Sequence, residues 1–221
     1  MVEGIVITAC ENLRQQMVQS QLMTRGVDDA RVLDAMNSVP REAFVPSELR
    51  DEAYWDRPLS IGQGQTISQP FTVAWMAEAL QLDGPEKVLE VGTGSGYGAA
   101  VLSLLAAEVH TIERIPQLAQ RARKVLAELG YKNVHVHEGD GALGLPNEQP
   151  FDAICVTAAA AEFPAALGEQ LAEGGRLVIP MGPFPGIQEM MRYTKRRGQW
   201  KGESMGSFAF VPLVRGKVGN Q

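Results

Sequence analysis

The sequence predicts a doubly wound α/β fold, with a mostly parallel sheet, an antiparallel C-terminal hairpin and helices at the N-terminus. Three observations carry that expectation. From Lys87 to Met181 short β-type runs alternate with helical runs, which implies parallel strands joined by crossovers. Glycines cluster where the first of those strands passes into a helix. After Gly182 two shorter runs flank a basic turn, as in a hairpin.

Each element has a local signal. From about Leu13 to Val39 apolar residues recur at helical spacing, first Leu13, Met17 and Leu22, then Val32, Leu33 and Met36. Asp28 is the expected N-cap of the second helix, and Pro40 ends it. Residues 54–69, YWDRPLSIGQGQTISQ, are too rich in Gly, Gln and hydroxyl residues for a long amphipathic element, so a loop or short edge strands are expected. A structured loop this polar invites a functional explanation. Pro70 suits the first turn of a helix with Val73, Met76 and Leu80 on one apolar face, stopped by Gly84-Pro85.

Lys87–Val91 reads as the first core strand, Gly98–Ala107 as a buried apolar helix and Val109–Glu113 as the second strand. Pro116 opens a helix with Leu118, Ala122, Val125 and Leu129 on one face, and Gly130 stands where a left-handed C-terminal residue belongs. Asn133–His137 and Phe151–Thr157 are the next strands. A helix over about Pro164–Ala172 is then turned by Gly174-Gly175 into a fifth strand, Arg176–Met181. The terminal hairpin is expected over Glu189–Thr194 and Ser204–Leu213, around the solvated turn KRRGQWKG.

With 221 residues, 45% of them hydrophobic and 21% charged, the chain is long enough for one domain with a full core. A net charge of -6 gives no global attraction for phosphate backbones or anionic lipid, so no nucleic-acid or membrane partner is expected. Cys10 and Cys155 are alone and far apart, which excludes a disulfide framework and fits a cytoplasmic setting. MVEGIVITAC lacks a basic start and carries Glu3, so it reads neither as a signal peptide nor as a membrane segment. His135 and His137 share a strand face without a third ligand at metal spacing, so an exposed strand and no metal are expected. Tyr54 and Trp55 read equally as peptide contacts or core packing.

Glu90-Val91-Gly92-Thr93-Gly94-Ser95-Gly96 lets backbone approach a ligand where strand passes into helix. The dinucleotide fingerprint fails, because glycine would be needed at Tyr97 or Ala99. The observed acid-x-G-x-G-x-G pattern resembles the first motif of S-adenosylmethionine-dependent methyltransferases. Glu113, about twenty residues on, is placed to accept hydrogen bonds from both ribose hydroxyls, the alternative being a solvated strand-end acid. Asp140, between Gly139 and Gly141, is placed to receive the adenine amino group, although GDG by itself is an ordinary turn.

The acceptor should meet Thr157-Ala158-Ala159-Ala160-Ala161 beyond the fourth strand. That segment has no Asn/Asp-Pro-Pro-aromatic clamp for base amines and no carboxylate to anchor magnesium. Contact then falls to the loop Gly62–Pro70, where Thr66 and Ser68 lie two residues apart; Ser68 serves equally well as a helix N-cap.

SIGQGQTISQP, VLEVGTGSGY, TIER, GDG, PFDAICVTAAA, GGRLVIPMG and FVPLVRG occur in the order found in the protein-L-isoaspartate O-methyltransferase family, which the chain resembles from roughly Leu13 to Gly216. The resemblance implies a Rossmann-like methyltransferase sheet. Residues 1–69 would form N-terminal helices and a substrate loop, 70–182 the cofactor core and 183–221 the C-terminal strands and tail of one domain. It implies S-adenosylmethionine as donor, S-adenosylhomocysteine as product, and methylation of the free α-carboxylate of L-isoaspartyl residues in damaged proteins, leading to repair through a methyl ester and succinimide. Ser68 matches the family's active-site serine and Thr66 its neighbour, with Ile67, Thr157, Ala158 and Ala159 on the acceptor side. Glu90, Gly92, Thr93, Gly94, Ser95, Gly96, Glu113, Asp140 and Gly141 fall on the donor side. A cytoplasmic monomer is expected. The rival readings are a methyltransferase for a small molecule or RNA, and a dinucleotide-dependent oxidoreductase.

Overall fold

The computed structural model describes residues 2–214 and Gly216. Helix α1 (Val2–Met17) runs through a π turn and a 3-10 turn to Gly26, whose φ of 91° ends it. Helix α2 (Ala30–Ser38) is capped by Asp29, which accepts the amides of Arg31 and Val32; the expected cap, Asp28, instead gives its own amide to Glu78 at 2.8 Å. Met17, Leu22, Val32 and Met36 are buried as their spacing predicts, while Leu13 stays exposed.

Strands β1 (Leu59–Gly62) and β2 (Gln65–Ile67) form a separate antiparallel hairpin. It turns on Gln63-Gly64, at φ 55° and 67°, the paired positive values of a tight primed turn. Helix α3 (Pro70–Ala79) is buried on almost every side rather than on one face. The N-terminal helices cover part of it, and Trp75 Nε1 reaches across to donate to the Met205 carbonyl at 2.8 Å.

The core alternates as expected: β3 (Lys87–Val91), α4 (Tyr97–Ser103), β4 (Glu108–Glu113), α5 (Pro116–Glu128), β5 (Val134–Glu138), β6 (Phe151–Val156), α6 (Ala165–Gln170) and β7 (Leu171–Met181). With β8 (Gln188–Arg196) and β9 (Gln199–Phe208) these strands make one sheet in the order β5-β4-β3-β6-β7-β8-β9. Pairing is parallel from β5 to β7 and antiparallel beyond. Val88, Ala153 and Val178 pack on one face of the sheet and Leu89, Ile154 and Leu177 on the other, as the continuous apolar runs of doubly covered strands require. The chain winds outward from β3 through β4 to β5, then returns to β6 on the other side. The crevice between the ends of β3 and β6 is therefore the switch point at which ligands bind in such sheets.

Several boundaries and one helix face differ from the sequence reading. Helix α4 stops at Ser103, and the Asn133 amide caps the freed carbonyls of Ser103 and Ala106 at 2.9 and 3.3 Å. The buried face of α5 runs through Leu118, Ala119, Ala122 and Leu126, leaving the C-cap Leu129 outside. Gly174-Gly175 does not turn the chain but bulges inside β7: Leu171 pairs with Phe151 and Arg176 with Ala153, and a Cβ on Gly175 would lie 2.8 Å from the Asp152 carbonyl. The hairpin turn shrinks to Arg197-Gly198, most of KRRGQWKG being strand, and β9 ends at Phe208. Residues 209–214 then leave the sheet edge and pass over the end of β6, where Ala159 donates to the Val211 carbonyl at 2.8 Å and Leu213 donates to that of Ala159 at 2.7 Å.

Candidate active site

A cavity of about 660 Å³ opens at the switch point. Its walls are the glycine loop after β3, the ends of β4 and β6 with Gly141, the hairpin-to-helix segment Gly64–Val73, and the covering segment Ala209–Val214 with Phe184 beside it.

The glycine loop is held by contacts that exclude a side chain. Gly92, at φ 98°, lies under Thr157, and a Cβ there would sit 2.3 Å from the Thr157 hydroxyl oxygen. That hydroxyl donates to the carbonyls of Val91 and Gly92 at 3.0 and 2.9 Å, latching the end of β6 to the loop. A Cβ on Gly98 would meet Glu90 Oε1 at 2.2 Å, and one on Gly141 would meet Val91 Cγ1 at 2.5 Å. Gly96 faces away from the cavity and packs on Ala122 and Leu126 of α5, so it serves helix packing. Ser95 Oγ accepts the Tyr97 amide at 3.3 Å where α4 begins.

Glu90 is 1% exposed, yet it borders the cavity. Thr111 donates to its Oε2 at 2.6 Å, and the Thr93 hydroxyl lies 2.6 Å from that of Thr111. Burial pushes the Glu90 pKa up to about 8 against the Thr111 hydrogen bond, with Glu113 adding to the rise. Glu113 accepts the Gly94 amide on Oε2 and the Ile115 amide on Oε1, both at 2.9 Å. It thus fixes the loop, lines the cavity, and keeps lone pairs that these two amides do not use. The Asp140 carboxylate does not line the cavity. One oxygen accepts the Ala142 amide at 3.0 Å and the other that of Gly216 at 2.6 Å, while Gly141 beside it forms the wall.

On the facing side, Thr66, Ile67 and Ser68 all border the cavity, Thr66 exposed, Ile67 buried and Ser68 half-buried. Ser68 is not the cap of α3; Gln69 holds that position without a side-chain hydrogen bond. The Ser68 hydroxyl has no hydrogen-bond partner among the described residues, and its carbonyl accepts from Arg41 at 2.8 Å. Thr157 and Ala158 line the wall, whereas Ala159 is engaged through its backbone with the covering segment. Tyr97, Phe184 and Phe210 also line it; Tyr97 ends the VLEVGTGSGY run and Phe210 opens FVPLVRG, while Phe184 carries no signal in the sequence.

The site fits S-adenosylmethionine: a side-chain-free cradle, a carboxylate with lone pairs to spare and a cavity of suitable size meet at the switch point. Among the described residues no group of three His, Cys, Asp or Glu side chains is set to hold a metal ion. The histidine face departs from the exposed strand expected of it. His137 is half-buried, and His110 of β4 joins it, Nδ1 to Nε2 at 3.0 Å, leaving only His135 exposed.

A model of the protein family described as protein-L-isoaspartate(D-aspartate) O-methyltransferase matches residues 12–218. Protein-L-isoaspartate O-methyltransferase 2 of Marinobacter nauticus is 56% identical over 204 residues, covering 92% of this chain and 93% of its own. The protein-L-isoaspartate O-methyltransferase of Methanoculleus marisnigri is 50% identical over 205 residues, covering 93% of each. A solved protein-L-isoaspartate O-methyltransferase superposes with a TM-score of 0.82 at 30% identity, over 94% of this chain and 67% of that one. A Plasmodium falciparum structure described as a protein-L-isoaspartate O-methyltransferase in complex with S-adenosyl-L-homocysteine gives a TM-score of 0.80 at 26% identity, over 92% and 99%. On this sequence and fold, the chain belongs to the protein-L-isoaspartate(D-aspartate) O-methyltransferase family.

Proposed function

We propose that the protein methylates the free α-carboxylate of L-isoaspartyl residues in damaged proteins and peptides, with S-adenosylmethionine as donor, and so starts their repair through a methyl ester and a succinimide. The observation that carries this reading is the free Ser68 hydroxyl on the wall of the same cavity as the glycine cradle. Bound against that cradle, S-adenosylmethionine supplies an electrophilic methyl group and leaves as S-adenosylhomocysteine. A carboxylate with a reference pKa near 4 is already ionised at neutral pH, so the enzyme has no proton to remove.

Orientation is what the residues provide. The Ser68 hydroxyl donates to one oxygen of the acceptor carboxylate and turns the other toward the donor, with Ile67 and Ala158 as walls. Holding the reacting atoms about 3 Å apart is worth roughly 7–11 kcal/mol of the barrier. Phe184 and Phe210 make the cover apolar, and excluding water favours a step in which opposite charges cancel. Glu113 holds the ribose and Gly141 leaves room for the adenine, on the donor side. No helix among the described residues is long and apolar enough to cross a membrane. A net charge of -6 gives no general attraction for nucleic acid, in keeping with a protein substrate.

The test offers methyl-labelled S-adenosylmethionine with an L-isoaspartyl peptide or its normal L-aspartyl isomer. Label should enter the isoaspartyl peptide alone; equal labelling of the two would overturn the reading.

A further inference from the structure

Arg41 opens the 3-10 turn Arg41–Phe44, and its side chain is 0% exposed. Its Nε donates to the Ala53 carbonyl at 2.7 Å and its Nη2 to the Ser68 carbonyl at 2.8 Å. The guanidinium carbon lies 4.8 Å from the centre of the Tyr97 ring, at the start of α4 and on the cavity wall. Nη1 is buried without a hydrogen-bond partner, and no carboxylate stands within ion-pair distance of Arg41 among the described residues.

Burial lowers the pKa of this group, and the nearby Tyr97 and Tyr54 phenols oppose that fall, but a guanidinium starts so far above neutrality that it remains charged. Protein interiors pair such a charge with a carboxylate. The two carbonyls and the face of the Tyr97 ring stabilise the cation in the resting fold without neutralising it. Arg41 stands behind Ser68 and Tyr97 rather than on the cavity wall, so a substrate carboxylate would feel its charge through that wall instead of pairing with it directly.

We propose that Arg41 is a positioning residue for the methyl acceptor. By holding the Ser68 carbonyl it fixes where the Ser68 hydroxyl points, and its unpaired charge favours a carboxylate at the Ser68 end of the cavity. The proposal rests on the isoaspartyl reading above. It separates two effects: hydrogen-bonded geometry, which governs turnover, and charge, which governs acceptor affinity.

Arg41→Lys and Arg41→Met distinguish them, with kcat and KM measured on an L-isoaspartyl peptide. Activity is normalised to the S-adenosylhomocysteine bound per chain, so that unfolded protein does not count. Lysine keeps the charge but cannot fork to both carbonyls; kcat should fall at least about tenfold, since ångström-scale misplacement costs up to about a hundredfold, while KM stays within about twofold. Methionine loses both, and KM should rise at least about fivefold in addition. S-adenosylhomocysteine affinity should hold within about twofold in each. Folded variants with wild-type kcat and KM overturn the proposal, as does an equal KM rise in the two. Should neither variant fold, the wild-type enzyme is competed with the isoaspartyl peptide and its α-carboxamide analogue. At least about tenfold weaker binding of the amide is expected, and equal binding overturns the proposal. A wild-type enzyme that binds S-adenosylhomocysteine but ignores the isoaspartyl peptide defeats the acceptor reading instead.

Discussion

Glu90 is buried against the cofactor cavity with one threonine hydroxyl to satisfy it, and its pKa of about 8 means that the free protein carries it protonated at neutral pH. In the unfolded chain the same group loses its proton near 4.5. Between these values the folded state holds one proton more than the unfolded state. Stability therefore falls as pH rises through that window, by at most about 1.4 kcal/mol per pH unit, and levels off above it. Glu90→Gln removes the slope: its melting temperature should exceed that of wild type at pH 8 and converge with it by pH 5, whereas parallel curves would contradict the burial argument. Gly98→Ala acts on the same carboxylate, because the new methyl would lie 2.2 Å from Glu90 Oε1. A loss of about 1–3 kcal/mol in stability and weaker S-adenosylhomocysteine binding are expected, read by denaturant titration and calorimetry. Ser68→Ala should leave that binding within about twofold while lowering turnover at least about tenfold, if its hydroxyl meets the acceptor rather than the donor as proposed. Full turnover in this variant would remove Ser68 from the mechanism.

At the scale of elements, the first residue of β8 ties two parts of the cavity cover together. The Gln188 side chain, fully buried, donates to the carbonyls of Pro183 and Gly186 at 2.8 and 3.0 Å and accepts the Phe210 amide at 2.9 Å. Gln188→Leu leaves the buried Phe210 amide unpaired, at about 1–3 kcal/mol, and releases the carbonyls of Pro183 and Gly186 to solvent. The segments carrying Phe184 and Phe210 should exchange amide hydrogens faster, and the KM for an isoaspartyl peptide should rise more than the Kd for S-adenosylhomocysteine. Unchanged exchange in both segments would show that the cover is held by other contacts. Such ties are invisible in sequence, since the partners of Arg41 and Gln188 lie up to 27 and 22 residues away and no spacing links them. The glycine loop was legible for the opposite reason: an apolar strand, positive-φ glycines and a helix follow one another directly. Gly174-Gly175 read as a turn because glycine suits turns and bulges alike, and only pairing with β6 decides between them. Strand β9 was placed five residues too late in the sequence reading because its residues are largely exposed, so no period-two alternation marks its start.

In the whole molecule, the cavity exists only because several distant stretches of chain meet where the winding of the sheet reverses. The donor side could be read from one continuous motif. The acceptor side needed the family resemblance to identify Ser68, and the covering segment 209–214 needed the fold. Ligand choice follows from the shape of the loop: S-adenosylhomocysteine at a hundredfold excess over its Kd should raise the melting temperature by roughly 5–10 °C, and NAD should not. A shift with NAD alone would overturn the donor assignment. The most direct test of the whole account is a crystal structure of the protein with S-adenosylhomocysteine and an L-isoaspartyl peptide. The account predicts the α-carboxylate inside the cavity, one oxygen within hydrogen-bond distance of the Ser68 hydroxyl and the other facing the cofactor sulfur. A peptide carboxylate outside the cavity, with the Ser68 hydroxyl unengaged, would contradict it.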